Sequence, residues 1–200
     1  MNALDIIRSE HRSLSAVLHT LQVLARSARE RRVAPDFALL RLIVDYLDSF
    51  HQRFHHPKEV GHLFKALRGR TGEAQGTLAR LEREHAESDA RLAVLRGAID
   101  AAQSGACGLD ELASVVEAYA DFQWRHMRTE EDLIMPLAER ELSSEDWQRI
   151  DAAFAAADDP DFGTARREEY RRLLASIAEH APPPLLGSGG AGPYWQKPGR

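Results

Sequence analysis

The chain has 200 residues, 44% hydrophobic and 28% charged, with a net charge of −5 when His is neutral. That is enough for one soluble globular domain with a real core and too little for two large ones. The acidic balance argues against non-specific nucleic-acid binding, the single Cys107 excludes an intrachain disulfide framework, and no run reaches the ~18 apolar residues of a membrane span.

Apolar residues recur at helical spacing almost throughout, with no competing strand alternation. Residues 3–31 carry Ile7, His11, Leu14, Leu18 and Leu21 on one stripe. A break follows at 31–34, and Pro35 is expected in the first turn of a second helix, where its missing N–H costs nothing. That helix aligns Leu40, Val44, Leu47, His51, His55, Glu59 and Leu63. Gly69 to Gly72 forms a turn. A third helix over 73–103 aligns Leu78, Leu81, His85, Leu92 and Leu95. Gly105 and Gly108 mark the next turn. A fourth helix over 109–140 aligns Leu112, Val115, Val116, Tyr119, Phe122, His126, Glu130 and Leu133. Shorter helices are expected at 144–157, capped by Ser143 or Ser144, and at 164–180, opened by Asp159-Pro160 or Thr164. Residues 181–200 are rich in Pro, Gly and Ser and read as a flexible tail. Gly187, Gly189 and Gly192 match a dinucleotide fingerprint in letters only, since no strand precedes them and no helix follows. The expected fold is all-α: an antiparallel up-down-up-down four-helix bundle over 1–142, two short C-terminal helices over 143–180, and the tail over 181–200. The N-terminus has no signal-like apolar stretch, so a cytoplasmic location is expected.

One polar pattern interrupts these stripes, and it occurs twice. A lone His is followed by His-x-x-x-Glu: His11 with His55 and Glu59, then His85 with His126 and Glu130. The lone histidines are 74 residues apart and the paired ones 71. Residues i and i+4 share a helix face, with Cβ atoms roughly 5–6 Å apart. Four imidazoles and two carboxylates are thus expected to converge inside the bundle and to hold two metal ions. A lone core His is more often a satisfied structural residue, and a single His-x-x-x-Glu pair also arises as a surface contact. The repeated set on four apolar stripes outweighs both readings. Nitrogen and oxygen ligands with open positions suit iron or manganese, and zinc is compatible with them.

The neighbours of this set divide. His51 is a candidate fifth ligand or a partner behind the ligands, and Asp89, four residues after His85, can reach the metals. His62 extends the face away from the site. His56 and Glu131 follow ligands by one residue and are expected to point elsewhere. Glu10 and Glu84 each precede a candidate ligand; they either touch the ligands symmetrically from behind or are solvated, and the solvated placement is the expected one. Tyr119 either hydrogen-bonds in the cavity or packs, and His19 and His180 are expected to be ordinary surface or core residues.

Four segments together resemble the hemerythrin-like, HHE cation-binding domain. They are Glu10-His11-Arg12, His55-His56-Pro57-Lys58-Glu59 with His62-Leu63-Phe64, Arg83-Glu84-His85, and His126-Met127-Arg128-Thr129-Glu130-Glu131. The resemblance spans residues 3–140 and implies a four-helix bundle around two non-haem iron ions, with His11, His55, Glu59, His85, His126 and Glu130 as ligands. The chain departs from the oxygen carriers of that family at Asp89, where they have a second third-helix His, and at Glu130, four rather than five residues after His126. The resemblance implies a small diatomic ligand, O2 or NO, or a role in sensing redox or iron state. The alternative is a di-iron enzyme that decomposes peroxide or repairs oxidative or nitrosative damage. A ferritin-like iron store fits less well, because its Glu-x-x-His motifs would fall on adjacent helices and leave His11, His55 and His126 unused. A metal-free scaffold for the tail is the remaining reading.

Overall fold

A computed structural model describes residues 2–156, 172 and 175–177. The rest of the expected 164–180 helix, the 181–200 tail and His180 lie outside the described residues. Every element among the described residues is helical. Helix α1 spans Ala3–Arg31. Helix α2 starts as Phe37–Tyr46, continues through Leu47–His55, His56–Lys58 and Glu59–Phe64, and ends as Lys65–Arg70. Helix α3 spans Gln75–Ser104. Helix α4 runs from Leu109–Thr129 through Glu130–Ile134 to Met135–Glu141. Helix α5 spans Ser144–Ala156. No described helix is long and apolar enough to cross a membrane.

The helix ends follow local chemistry. Asn2 accepts from the Asp5 N–H at 2.8 Å while the Asp5 carboxylate accepts from the Asn2 N–H at 3.2 Å, a reciprocal cap. Asp36 caps α2 by accepting from the Leu39 N–H at 3.0 Å. Pro35 therefore lies before the cap and not in the first turn, because the carboxylate satisfies a donor that Pro cannot. Gly105 ends α3 at φ 77°, a left-handed conformation that costs glycine little. Ser143 caps α5, its hydroxyl accepting from the Asp146 N–H at 3.2 Å.

Helix α1 packs on α4, α4 on α3, α3 on α2, and α2 on α1. Contacts between α1 and α4 pass from His11–Glu131 through Gln22–Glu117 to Arg32–Asp110. Those between α2 and α3 pass from Arg41–Asp100 to Gln52–Ser88. The apolar core lies in two clusters. One contains Leu14, Leu18, Leu40, Leu47, Leu95 and Val116. The other contains Ile7, Leu63, Phe64, Leu81, Ile134 and Phe154. Along each of the four long helices, the site histidines fall between residues of one cluster and residues of the other. Ile177 is buried in the first cluster.

Three stretches wind as π-helix: Leu47–His55, Glu59–Phe64 and Glu130–Ile134. The His56 N–H bonds to the His51 carbonyl and the Met135 N–H to that of Glu130, both five residues back. Pro57 and Pro136 follow closely. A proline ring clashes with the carbonyl four residues before it and supplies no N–H, so a wider turn relieves the strain ahead of it. The extra residue per turn shifts the register. Leu133, expected on the apolar stripe, is 54% exposed, and Ile134 takes the core position.

Helix α5 docks through Asp146. Its buried carboxylate accepts from Arg70 Nε at 2.6 Å and from the Ser143 N–H at 3.0 Å, and it also pairs with Arg149. The Arg70 guanidinium and then the Ser143 N–H hold its pKa below the ordinary carboxyl value. A carboxyl lowered by folding contributes stability that is complete above its unfolded pKa near ~3.9 and is lost as pH falls through the lowered value. Asp146→Asn is therefore expected to lower the melting temperature at pH 7. The gap from wild type should narrow as melts are repeated from pH 4 downward.

Candidate metal centre

Between the two apolar clusters, four helices each bring one imidazole inward: His11 from α1, His55 from α2, His85 from α3 and His126 from α4. Glu59 and Glu130 sit among them, each 1% exposed. His11 Nε2 lies 3.4 Å from Glu130 Oε2 and 3.9 Å from Glu59 Oε1. His55 Nε2 lies 3.4 Å from Glu59 Oε1. On the other side, His85 Nε2 is 3.6 Å from Glu59 Oε2 and 3.7 Å from Glu130 Oε1. His126 Nε2 is 3.1 Å from Glu130 Oε1. Each carboxylate thus turns one oxygen toward the α1/α2 histidines and the other toward the α3/α4 histidines.

Two sets of ligand atoms follow, each close enough to hold an ion: His11, His55, Glu59 and Glu130, and Glu59, His85, His126 and Glu130. All six sequence-predicted residues are brought together. His85 Nε2 and His126 Nε2 lie 2.9 Å apart and bond each other, but most of the other donor atoms are unsatisfied. His11 Nε2, His55 Nε2, Glu59 Oε2 and both Glu130 oxygens are buried without a hydrogen-bond partner. Each such atom costs about 1–3 kcal/mol in an apolar interior, and more when charged. A cation at each set removes that cost, so the residues fit a pair of bound metal ions.

The electrostatics point the same way. Burial raises Glu59 well above the ordinary carboxyl range, and the neighbouring Glu130 adds to it. Burial opposes charge on Glu130 too, but His126, His11 and His85 outweigh it and lower its pKa. Burial would depress His11, yet Glu130 and Glu131 raise it to about 10. His126 is raised to about 9 against burial by Glu130 and Glu84. His55 is depressed to about 4, burial outweighing Glu10. The raised His11 and His126 thus place positive charge beside Glu130.

A second ring of carboxylates lies behind the imidazoles. His11 Nδ1 donates to Glu131 at 2.8 Å, His55 Nδ1 to Glu10 at 2.7 Å, and His126 Nδ1 to Glu84 at 2.9 Å. Each bond crosses to an adjacent helix, fixes the ring's orientation and turns Nε2 inward. This corrects the expectation that Glu10 and Glu84 are solvated and that Glu131 points elsewhere. A residue one step from a ligand leaves its own helix's inward face but reaches the back of the neighbouring helix's ligand. The sequence signal was available, since both lone histidines follow a Glu. His85 lacks such a partner, and its Nδ1 is unsatisfied. The residue after Glu59, which corresponds to Glu131 in the repeat, is Val60.

His56 is the second correction. It is buried, and its ring stacks on His85 at 3.8 Å between centroids, with an interplanar angle of 17°. With His85 and His126 it forms a third set able to hold an ion, and its Nε2 has no partner. The π turn rotates it inward beside His51, 4.1 Å away. His51 itself is buried with Nε2 3.1 Å from Gln123 Oε1, and Gln123 Nε2 donates to Tyr119 at 3.1 Å and to Ser88 at 2.9 Å. His51 therefore stands behind the ligands and is in none of the three sets. Asp89 and His62 are exposed, and the inward residue near Asp89 is Ser88.

Glu84→Gln and Glu131→Gln are each expected to weaken metal affinity on the order of 10–100-fold while leaving the helical content intact. Chelator competition followed by circular dichroism checks this, and affinities equal to wild type would remove these carboxylates from the centre. Among known proteins, the model of the hemerythrin HHE cation-binding domain matches residues 2–138. No curated protein and no solved structure matches the chain. With more than half of its length covered by that match, the chain belongs to the hemerythrin HHE cation-binding family.

Proposed function

We propose that this protein holds two iron ions and binds a small diatomic ligand, O2 or NO, or senses redox or iron state, in the cytoplasm. The observation that carries the reading is the sharing of two buried carboxylates between two histidine pairs, with the inward nitrogens of His11 and His55 and three carboxylate oxygens unsatisfied. His11 and His55 would hold one ion and His85 and His126 the other, with Glu59 and Glu130 common to both. His56 is a further candidate ligand on the His85 side, in place of the imidazole that Asp89 does not provide. The order of interhelix contacts supports an antiparallel up-down-up-down bundle over 1–142, with the extension beginning at 143.

Bound iron supplies one-electron chemistry and positions at which a small ligand can bind. The chain supplies the rest. Glu10, Glu84 and Glu131 hold the Nδ1 protons and keep the imidazoles aimed inward. Phe64 stacks against His85 and Phe122 against His126, which screens that side from water.

A second reading, an enzyme that decomposes peroxide, is favoured by one observation. The buried chain of His51, Gln123 and Tyr119 offers polar groups that can hold a proton beside the site. Peroxide turnover no faster than that of free iron would sink it.

The deciding measurement is metal per chain, with optical spectra under anaerobic reduction and then exposure to O2 and NO. About two irons with gas-dependent spectra support the reading, and coordinatively closed zinc or no metal overturns it. Glu59→Ala and Glu130→Ala should each lose most of the paired metal, and His62→Ala should retain it. Equal metal content in all three would discredit the ligand assignment.

A further inference from the structure

Helix α5 lies beyond residues 2–138, the part matched by the family domain, yet it packs against Lys58, the neighbour of Glu59. Its Phe154 is 1% exposed, and the Lys58 ammonium lies 5.2 Å from that ring and 4.1 Å from the ring of Phe54. Lys58 is 6% exposed, a burial that lysine tolerates only with a partner. The partner is Glu10, whose Oε1 accepts from Lys58 Nζ while Oε2 accepts from His55 Nδ1. A continuous chain of contacts thus joins Phe154, Lys58, Glu10 and His55.

Each link has a physical effect. The two rings hold the ammonium by their negative faces in a site with little water. The ammonium fixes the rotation of the Glu10 carboxylate and takes up part of its charge. With Oε2 held against His55 Nδ1, the ring keeps its orientation and its inward nitrogen stays aimed into the centre. The other half of the repeat has no such brace. Glu84 is 21% exposed, and its cation is Arg80 at 3.7 Å, itself 48% exposed. Thr129 stands 71 residues after Lys58, at the corresponding position. An exposed pair of this kind contributes little.

We propose that Lys58 is a positioning residue for the His55 side of the centre, held by Phe154, so that α5 tunes one of the two metal positions from outside the family domain. The proposal rests on the reading of His55 as a metal ligand. Linkage makes the coupling reciprocal: if docked α5 strengthens metal binding, bound metal strengthens the docking of α5.

The test uses the full chain loaded with iron, as wild type, Lys58→Met, Lys58→Arg and Phe154→Ala. Release of iron to a ferrous chelator is followed in time, and hydrogen exchange of residues 144–156 is measured with and without metal. In Lys58→Met, one of the two irons should be held on the order of tenfold more weakly. Phe154→Ala should shift the same ion in the same direction, and Lys58→Arg should restore much of the wild-type behaviour. Metal should slow exchange in 144–156 of the wild type. Two irons released at wild-type rates from both Lys58→Met and Phe154→Ala, whatever their melting temperatures, would overturn the inference alone. If Lys58→Met does not fold, unchanged release from Phe154→Ala together with metal-independent exchange in 144–156 overturns it. A wild-type chain that binds no metal overturns the underlying reading, and the inference with it.

Discussion

Two carboxylates buried between two histidine pairs are the constraint to which the rest of this structure answers. Glu59 and Glu130 are each 1% exposed and lie close enough that each raises the cost of ionising the other. An apolar interior does not tolerate that charge unless cations meet it. His11 and His126 supply the nearest positive partners, and Glu131 and Glu84 behind them stabilise those partners in turn. The result is concentric, with acids at the centre, histidines around them and a second ring of acids outside. Each ring makes sense only in the presence of the next.

The helical geometry bends to serve this layer. Three π-helical stretches fall on α2 and α4, the two helices that carry both a histidine and a glutamate of the site. Wider turns let these helices direct more than one side chain per turn toward the same point. On α2 that brings His51, His55 and His56 to the interior together, where a regular α-helix would have swung His56 toward a different face. Helices α1 and α3 each contribute one central imidazole and stay regular.

Much of this was legible in the sequence. The apolar stripes locate the long helices to within a few residues, and the repeated His and Glu pattern identifies the six inward residues, because i,i+4 spacing survives in either winding. What was not legible depended on winding and on partners from other helices. His56 and Leu133 depart from expectation because a π turn has no composition of its own. The prolines at 57 and 136, inside otherwise helical runs, follow the first and third π stretches, and none follows the second closely. Glu10, Glu84 and Glu131 were misjudged because one-residue offsets were judged on their own helix, although their targets lie on the next one. The burial of Lys58 had no sequence signal, since it depends on rings that arrive from Phe54 and from α5.

The split core also bears on how the fold can loosen locally. A polar layer between two apolar clusters makes the molecule two hydrophobic plugs on either side of one charged disc. Loosening one plug need not dissolve the other, because the buried apolar residues form two separate clusters. The plug that includes Phe154 and Ile150 is closed in part by the short helix α5. A local opening on that side would uncover the polar layer while the other cluster keeps the four long helices in register.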